Sequence, residues 1–415
     1  MEKEFIARRA KEELPSSDIL KIAAEAKEDR AKGNKTIDAS IGVFLDEDKV
    51  LGKVPVVDAS IEEHINDNLG YPPVSGYPIY KEEVLKWLLK DKYDEISRKF
   101  HIAFGATLGG TGACFIAFST FLESGETVLL PEVMWSNYKQ IAHQALVKYD
   151  TYKFFTDDGH FNFNSLEEKI EEVGKKQSKV LVLINEPCEN PTGFCIPDED
   201  YPVLFSLLNK EGRKYNLTVL FDIAYLDYDK RAQNKLHPLF RYSADLNNAF
   251  LPAFAFSCSK SFGLYGLRAG ALIGFAKDEE TEKDIINSLE REARSIYSCP
   301  NGPALLCVGE ALSNESKRKE LTEEIIANEQ VLDKRGIMLR EELTKEGIRY
   351  YPYSQGFFLT VLVNDAFKVA ERLKEEHIYV VPLNDRSIRL ALSGLTLEEI
   401  PVLVRKLQEA SKGHE

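Results

Sequence analysis

Three short apolar runs of this sequence end in residues that can do chemistry. Asn190 follows "KVLVLIN" within "EPCENPTG". Asp222 closes "LTVLFD", with Tyr225 three residues on. Lys260 follows "AFAFSCS", and Arg268 stands eight residues later in "SKSFGLYGLRAG". Upstream, "ATLGGTGACFIAF" sets Gly109, Gly110, Thr111 and Gly112 just before an apolar helical pattern. Taken singly, each has an ordinary use. Gly-Thr-Gly makes a turn and cap, Asn-Pro-Thr-Gly is good turn chemistry, and a strand-end aspartate is often a cap. A lysine at the mouth of a core strand needs a stronger reason, because its ammonium loses hydration there.

The conjunction supplies that reason. If the three runs are neighbouring strands, Asn190, Asp222 with Tyr225, and Lys260 with Arg268 converge on one crevice. A glycine-rich turn at a helix N-terminus, the hydroxyls of Ser257 and Ser259, and an arginine make a phosphate site. The lysine amine can form a Schiff base with a carbonyl. An aspartate one strand away can keep a ring nitrogen protonated. Phosphate, aldehyde and pyridine nitrogen together describe pyridoxal 5'-phosphate. Other phosphate motifs fail: "GATLGGTG" lacks the GK[ST] ending of a P-loop, and no GxGxxG follows a strand.

The elements that must position these residues alternate. "ETVLLP", "KVLVLIN", "LTVLFD" and "AFAFSCS" read as buried strands; "SLEEKIEEVGKK" and "EDYPVLFSLLNKEGRKYN" between them read as amphipathic helices. That order predicts a mostly parallel sheet covered on both faces, with ligands beyond the carboxyl ends of its strands. Near the start, Ser16, Ser17 and Asp18 offer N-caps to a helix that Gly33 stops, and "TIDASIG" alternates like a short strand. From about residue 300 the grammar changes. A long helical pattern near "TEEIIANEQVLDKRGIMLREELTKEG" leads to strand "FFLTVLV", helix "DAFKVAERLKEEH", strand "SIRLALSG" and a final helix, an α+β unit of its own.

With 415 residues the chain has room for two domains. Hydrophobic content of 44% and charged content of 29% fit a globular protein. A formal net charge of -14 argues against nucleic acid and anionic membranes as partners, though a local arginine pair can still attract small anions. Cysteines 114, 188, 195, 258, 299 and 307 show no metal-ligand spacing. No apolar stretch reaches membrane-spanning length. No signal peptide is visible in "MEKEFIARRAKEE", so the expected compartment is the cytoplasm.

The chain resembles the aspartate aminotransferase group of class I/II aminotransferases, within the fold-type I pyridoxal-phosphate enzymes. The likeness runs from "IGVFLDEDKV" through "GYPPVSGYPIY", "GGTGAC", "PEVMWSNY", "NPTG", "DIAY" and "SCSKSFGLYGLRAG" to "RSIRLALSG". It implies an α/β fold with a large cofactor-binding domain over residues 55–310, a mostly parallel mixed sheet between helices. Residues 1–54 and 311–415 would form a smaller α+β domain. By position, Lys260 would be the Schiff-base lysine and proton carrier, and Asp222 the partner of the pyridine nitrogen. Tyr225 and Asn190 would bond the ring hydroxyl, and Trp135 would stack on the ring. Gly110, Thr111, Ser257, Ser259 and Arg268 would hold the phosphate. Arg389 in "SIRLALSG" would clamp the substrate α-carboxylate, with the backbone of Gly42 close by. Two further matches imply a homodimer with shared sites: Tyr71 would reach the neighbour's phosphate, and Arg294 would receive a distal carboxylate across the interface.

The activity so implied is transamination between an L-amino acid, either aspartate/glutamate or aromatic, and a 2-oxo acid. A lyase on the same scaffold would use the same cofactor residues. A non-catalytic relative is disfavoured because the lysine is present. There are departures from the family pattern. Tyr138 stands where a histidine usually supports the aspartate, Gly109 replaces a usual Ser or Ala, and "SCPN" replaces "SNPP". They loosen any claim to strict aspartate specificity.

Overall fold

The computed structural model describes residues 5–12, 19–52, 54–66 and 69–412. The caps expected at Ser16, Ser17 and Asp18 lie outside the described residues. The helix they would open spans Ile19–Ala31, and Gly33 follows it at φ +91°.

The first strand, β1 (Ile37–Asp38), stands apart from the seven that follow it. These are β2 (His101–Leu108), β3 (Thr127–Pro131), β4 (Lys148–Tyr152), β5 (Lys179–Asn185), β6 (Asn216–Asp222), β7 (Leu251–Ser257) and β8 (Ala269–Ala276). They form one sheet in the order β2-β8-β7-β6-β5-β3-β4. Pairing is parallel from β7 through β4, while β8 runs antiparallel to both β2 and β7. Register puts Asn185 beside Asp222, and Asp222 beside Ala255 near the end of β7. The three chemistry-bearing strand ends are therefore neighbours. Among the described residues, no helix is long and apolar enough to cross a membrane.

Side-chain bulk alternates along β7 and decides how the sheet is covered. Phe254 and Phe256 join one apolar cluster, with Phe221 and Phe275. Ala253 and Ala255 face the other way and pack with Ala113, Cys114 and Ala117 of the helix Gly109–Phe121. Period-two alternation sorts the residues, and small ones on one face let that helix approach closely. Each fully buried phenylalanine stabilises the sheet by roughly 1.5–3 kcal/mol.

The later strands are β9 (Arg349–Tyr350), β10 (Phe358–Leu362), β11 (Ile378–Tyr379), β12 (Val381–Asn384) and β13 (Ser387–Ala391). Four make an antiparallel sheet in the order β12-β13-β10-β9, and β11 pairs in parallel with β1. A separate apolar cluster of Leu359, Val361, Ile388 and Leu390 packs with Leu373 and Leu403 from the helices Ala366–Glu375 and Glu399–Lys412. The long helix spans Glu315–Lys345, starting earlier than its pattern suggests because the side chain of Asn314 caps the amide of Lys317 at 3.1 Å.

Candidate active site

The cavity beyond the ends of β5, β6 and β7 has a volume of about 240 Å³. It is lined by Gly42, Gly110, Thr111, Trp135, Asn190, Asp222, Tyr225, Ser257, Ser259, Lys260, Arg268 and Arg389. These are the sequence-predicted site residues except Tyr71 and Arg294. Tyr71 is 90% exposed. Arg294 is exposed on its helix and donates to its own neighbour Ser298 at 2.7 Å. A roomier cleft of about 450 Å³ lies across the segment Val133–Ser136, but its lining carries dispersed charges such as the Lys374–Glu25 pair.

Asp222 sits at the closed end, 5% exposed. Its Oδ1 accepts from the amide of Ala224 at 3.1 Å, and its Oδ2 from the hydroxyl of Tyr138 at 2.6 Å. Burial raises its carboxyl above the ordinary value, and these donors pull it back. Asn185, the last residue of β5, ties the strand ends together. Its amide nitrogen donates to the Asp222 carbonyl at 2.8 Å, and its oxygen accepts from the Asn190 backbone at 2.8 Å. Asn190 in turn reaches the Tyr225 hydroxyl at 3.5 Å.

Lys260 is half-buried in the middle of the cavity, and its ammonium donates to the carbonyl of Gly42. The rings of Tyr225, Tyr265 and Phe357 surround it at 5.5, 4.9 and 5.3 Å. Lost hydration, then the guanidinium charges of Arg389 and Arg268, push this amine down to about 7. A lysine so depressed is partly neutral near pH 7, which a nucleophile or proton carrier requires.

At the other end, the helix Gly109–Phe121 presents Gly110 and Thr111 in its first turn rather than ahead of it, as the sequence pattern suggested. Arg268, at φ +56° between β7 and β8, donates to Ser259 at 3.0 Å and to the carbonyl of Tyr265 at 2.9 Å. Helix amides, two serines and a guanidinium form a cradle for a dianion. Glycine suits position 109 by its backbone and by the closeness of that guanidinium. It lies at φ +69°, and a Cβ on it would come within 2.4 Å of Arg268 Nη2. Gly109→Ala is expected to weaken phosphate-ester cofactor binding at least about tenfold by displacing that guanidinium, since a charged hydrogen bond is worth roughly 1.5–3 kcal/mol. Fluorescence titration of cofactor-free protein checks this.

Arg389 is 3% exposed on β13. Its Nη1 reaches Asn190 Oδ1 at 3.4 Å, its Nη2 donates to the Ser40 carbonyl, and its Nε has no partner among the described residues. Its guanidinium lies 4.5 Å from the Phe358 ring centroid, and burial pushes it down to about 10. The strand is covered on both faces. The same Phe358 explains Gly42, where a Cβ would fall 2.4 Å from the ring.

These groups fit pyridoxal 5'-phosphate by donor chemistry. An anion cradle lies at one end and a buried acid at the other, with a depressed amine between them. An arginine with a free Nε lies alongside. Trp135, half-buried at the cavity wall, offers a ring face. Sequence reading named these residues but not Asn185, Tyr265 or the contact of Tyr138 with Asp222. Asn185 could have been found, as the polar residue that closes "KVLVLIN" itself.

The profile of the family "Aminotransferase class I and II" matches residues 34–407. The aspartate aminotransferase of Haemophilus influenzae is 26% identical over 95% of this chain and 97% of its own. The aromatic-amino-acid aminotransferase of Escherichia coli is 25% identical over 92% and 94%. An aminotransferase from Anaerococcus prevotii superposes with a TM-score of 0.90 at 26% identity, covering 99% of this chain and all of that one. An aromatic-amino-acid aminotransferase from Burkholderia pseudomallei, covalently bound to pyridoxal phosphate, shares the fold at a TM-score of 0.78 and 22% identity, over 98% of this chain and all of its own. Nothing in these likenesses favours the lyase alternative. The chain belongs to the class I and II aminotransferases, pyridoxal-phosphate-dependent enzymes that pass an amino group between an amino acid and a 2-oxo acid.

Proposed function

We propose that this enzyme transaminates dicarboxylic or aromatic L-amino acids, with Lys260 as its proton carrier. The observation that carries the reading is one cavity shared by buried Asp222, half-buried Lys260 and buried Arg389. When bound, the cofactor supplies an aldehyde and an electron-withdrawing ring that acidify the substrate Cα–H. Gly110, Thr111, Ser257, Ser259 and Arg268 hold its phosphate. Asp222 keeps the ring nitrogen charged, Tyr225 and Asn190 bond the ring hydroxyl, and Trp135 covers a ring face. The amine of Lys260, able to gain or lose a proton near neutrality, moves the proton at Cα.

Arg389 takes the substrate α-carboxylate in a two-pronged bond, beside the backbone of Gly42 and the amide of Asn190. Its free Nε and nearby Nη groups suit that task. Arg389→Lys keeps the charge and loses the fork. Its expected effect is a KM for the amino acid raised about 10- to 100-fold, from the loss of one charged hydrogen bond, with a smaller change in kcat. Steady-state kinetics with saturating 2-oxo acid measure both.

The working unit is proposed to be a homodimer. Tyr71 and Arg294 are exposed on this chain, as residues serving a neighbour's site would be. Arg294 would meet a distal carboxylate or swing aside for an aromatic ring. The chain is proposed to divide into a large domain over residues 55–310 and a small one over 1–54 and 311–415; the cluster around Leu359 and Leu390 draws only on the latter, while Leu321 and Ile325 pack into the core of the former. A panel of amino donors with 2-oxoglutarate, read as kcat/KM together with conversion to the pyridoxamine form, tests the substrate class. Preference for aspartate, glutamate or an aromatic donor supports it, and preference for small neutral donors overturns it. Loss of dicarboxylate activity, but not cofactor binding, in Arg294→Ala tests the shared site.

A further inference from the structure

Two thiols with no part in the scheme above bracket the turn that carries Asn190. Cys188 is 0% exposed and Cys195 6%, both are free, and their sulfurs lie 3.8 Å apart. The amide of Glu189 donates to the Phe194 carbonyl at 2.9 Å, which sets Cys188 and Cys195 opposite each other one step further out. The Cys188 amide donates to Cys195 Sγ at 3.2 Å, and the side-chain amide of Gln355 reaches the same sulfur at 3.6 Å. Both cysteines share an apolar cluster with Tyr225, Phe357 and Phe358, the rings around Lys260 and Arg389.

The turn is tied to the substrate end of the cavity. Asn190 accepts from Arg389 Nη1 at 3.4 Å, and its own amide is held by Asn185. Thr360 donates to the Pro191 carbonyl at 2.7 Å, while the amides of Ser354 and Gln355 donate to the Gly193 carbonyl at 2.9 and 3.0 Å. Cys188 is seated directly against Gly356, where a Cβ would fall 2.7 Å from the Cys188 Cβ.

We propose that Cys188 and Cys195 form an oxidation site, which hydrogen peroxide closes into a disulfide that shifts Asn190 and weakens the hold on the amino-acid substrate. A disulfide is about 2.05 Å long, so the sulfurs must approach by less than about 2 Å. Cys195 reacts first. It keeps some exposure and has two N–H donors around its sulfur, whereas burial, then the neighbouring Cys195, push the Cys188 thiol up. Its sulfur attacks one peroxide oxygen, the O–O bond breaks, and water leaves a sulfenic acid behind. The Cys188 sulfur then attacks that sulfur, the S–O bond breaks, and a second water leaves with the Cys188 proton. Two thiols are thereby oxidised, and one peroxide is reduced to two waters. Closing the bond draws Cys188 across the turn, off its seat on Gly356, and pulls on Asn190 two residues along. A dithiol reverses the step by exchange.

Cofactor-loaded enzyme is treated with hydrogen peroxide, alkylated in denaturant without reduction, and digested with trypsin. Residues 180–210 form one tryptic peptide that holds both cysteines and no other. After peroxide it should be two hydrogens lighter and unalkylated, and after dithiothreitol doubly alkylated again. The KM for the amino donor should rise about three- to tenfold on oxidation, as for one weakened hydrogen bond, and recover with dithiothreitol. Cys188→Ala and Cys195→Ser should each abolish both changes; if Cys188→Ala fails to fold, Cys195→Ser decides.

An alkylation pattern that peroxide leaves unchanged, or a sulfinic acid in place of the bond, overturns the site. A disulfide formed with native KM overturns its coupling to Asn190, and a KM response surviving in Cys195→Ser shows that peroxide acts elsewhere. The KM effect rests on the reading that Arg389 and Asn190 hold the substrate, whereas the peptide mass does not. A native KM in Arg389→Lys would overturn that reading and leave the oxidation site to the mapping.

Discussion

Lys260→Ala is expected to lower the transamination rate by about 10⁴-fold or more while the protein still binds its cofactor non-covalently. The size follows from the cavity's composition. Lys260 is the one lysine lining it, and no histidine lines it among the described residues. The other groups are poor substitutes for a base near pH 7. Burial drives Tyr225 upward, Arg268 and Arg389 carry charge, and Asp222 is engaged by Tyr138 and Ala224. The phosphate cradle is separate from the amine, so binding should survive through Arg268 and the first turn of the helix Gly109–Phe121. Single-turnover kinetics and cofactor content after denaturation measure the two effects independently. A variant retaining a tenth of native turnover would show that another group moves the proton. The sign of the pH effect is also fixed. The amine of cofactor-free protein, depressed to about 7, is protonated below that pH and neutral above it. Aldehyde capture should therefore accelerate from pH 6 to 8 and then level off.

Asp222→Asn is expected to cost about 10²–10³-fold in kcat, comparable to the loss of a preorganised charge-stabilising group in other active sites. The substitution is nearly isosteric. The remaining side-chain oxygen can still accept from Tyr138, so packing behind the site is conserved. What disappears is the negative charge that holds the ring nitrogen protonated and so lets the ring accept electron density from Cα. Rapid-mixing absorbance should place the loss on Cα proton removal, visible as an enlarged isotope effect with α-deuterated donor. An unchanged kcat would remove Asp222 from the mechanism.

The parts of the fold that could be read in the sequence are those whose signal is local. "KVLVLIN", "LTVLFD" and "AFAFSCS" each combine an apolar run with a polar end. Neighbouring parallel strands carry such ends to one edge, as the register of Asn185 with Asp222 records. β2 and β8 were harder to see. "HIAFGATL" and "AGALIGFA" are rich in Gly and Ala, residues with weak strand preference, and they become strands because each completes the other's ladder. The bond from Tyr138 to Asp222 spans 84 positions and the pairing of β1 with β11 joins Ile37 to Ile378. No periodicity announces either contact. Arg389 shows a similar limit: β10 and β12 on its flanks and Phe358 beneath it bury the guanidinium, and all three are brought there by the fold. Tyr71 and Arg294 differ in kind, because their assigned partners belong to a second chain.

Borohydride reduction of the cofactor-loaded enzyme, followed by proteolysis and mass mapping, tests the central claim most directly. The peptide containing "SCSKSFGLYGLR" should carry one reduced pyridoxyl group on Lys260, and Asp222→Asn should leave that attachment site unchanged. A label on any other lysine, or an unlabelled Lys260 in fully loaded protein, would contradict the account.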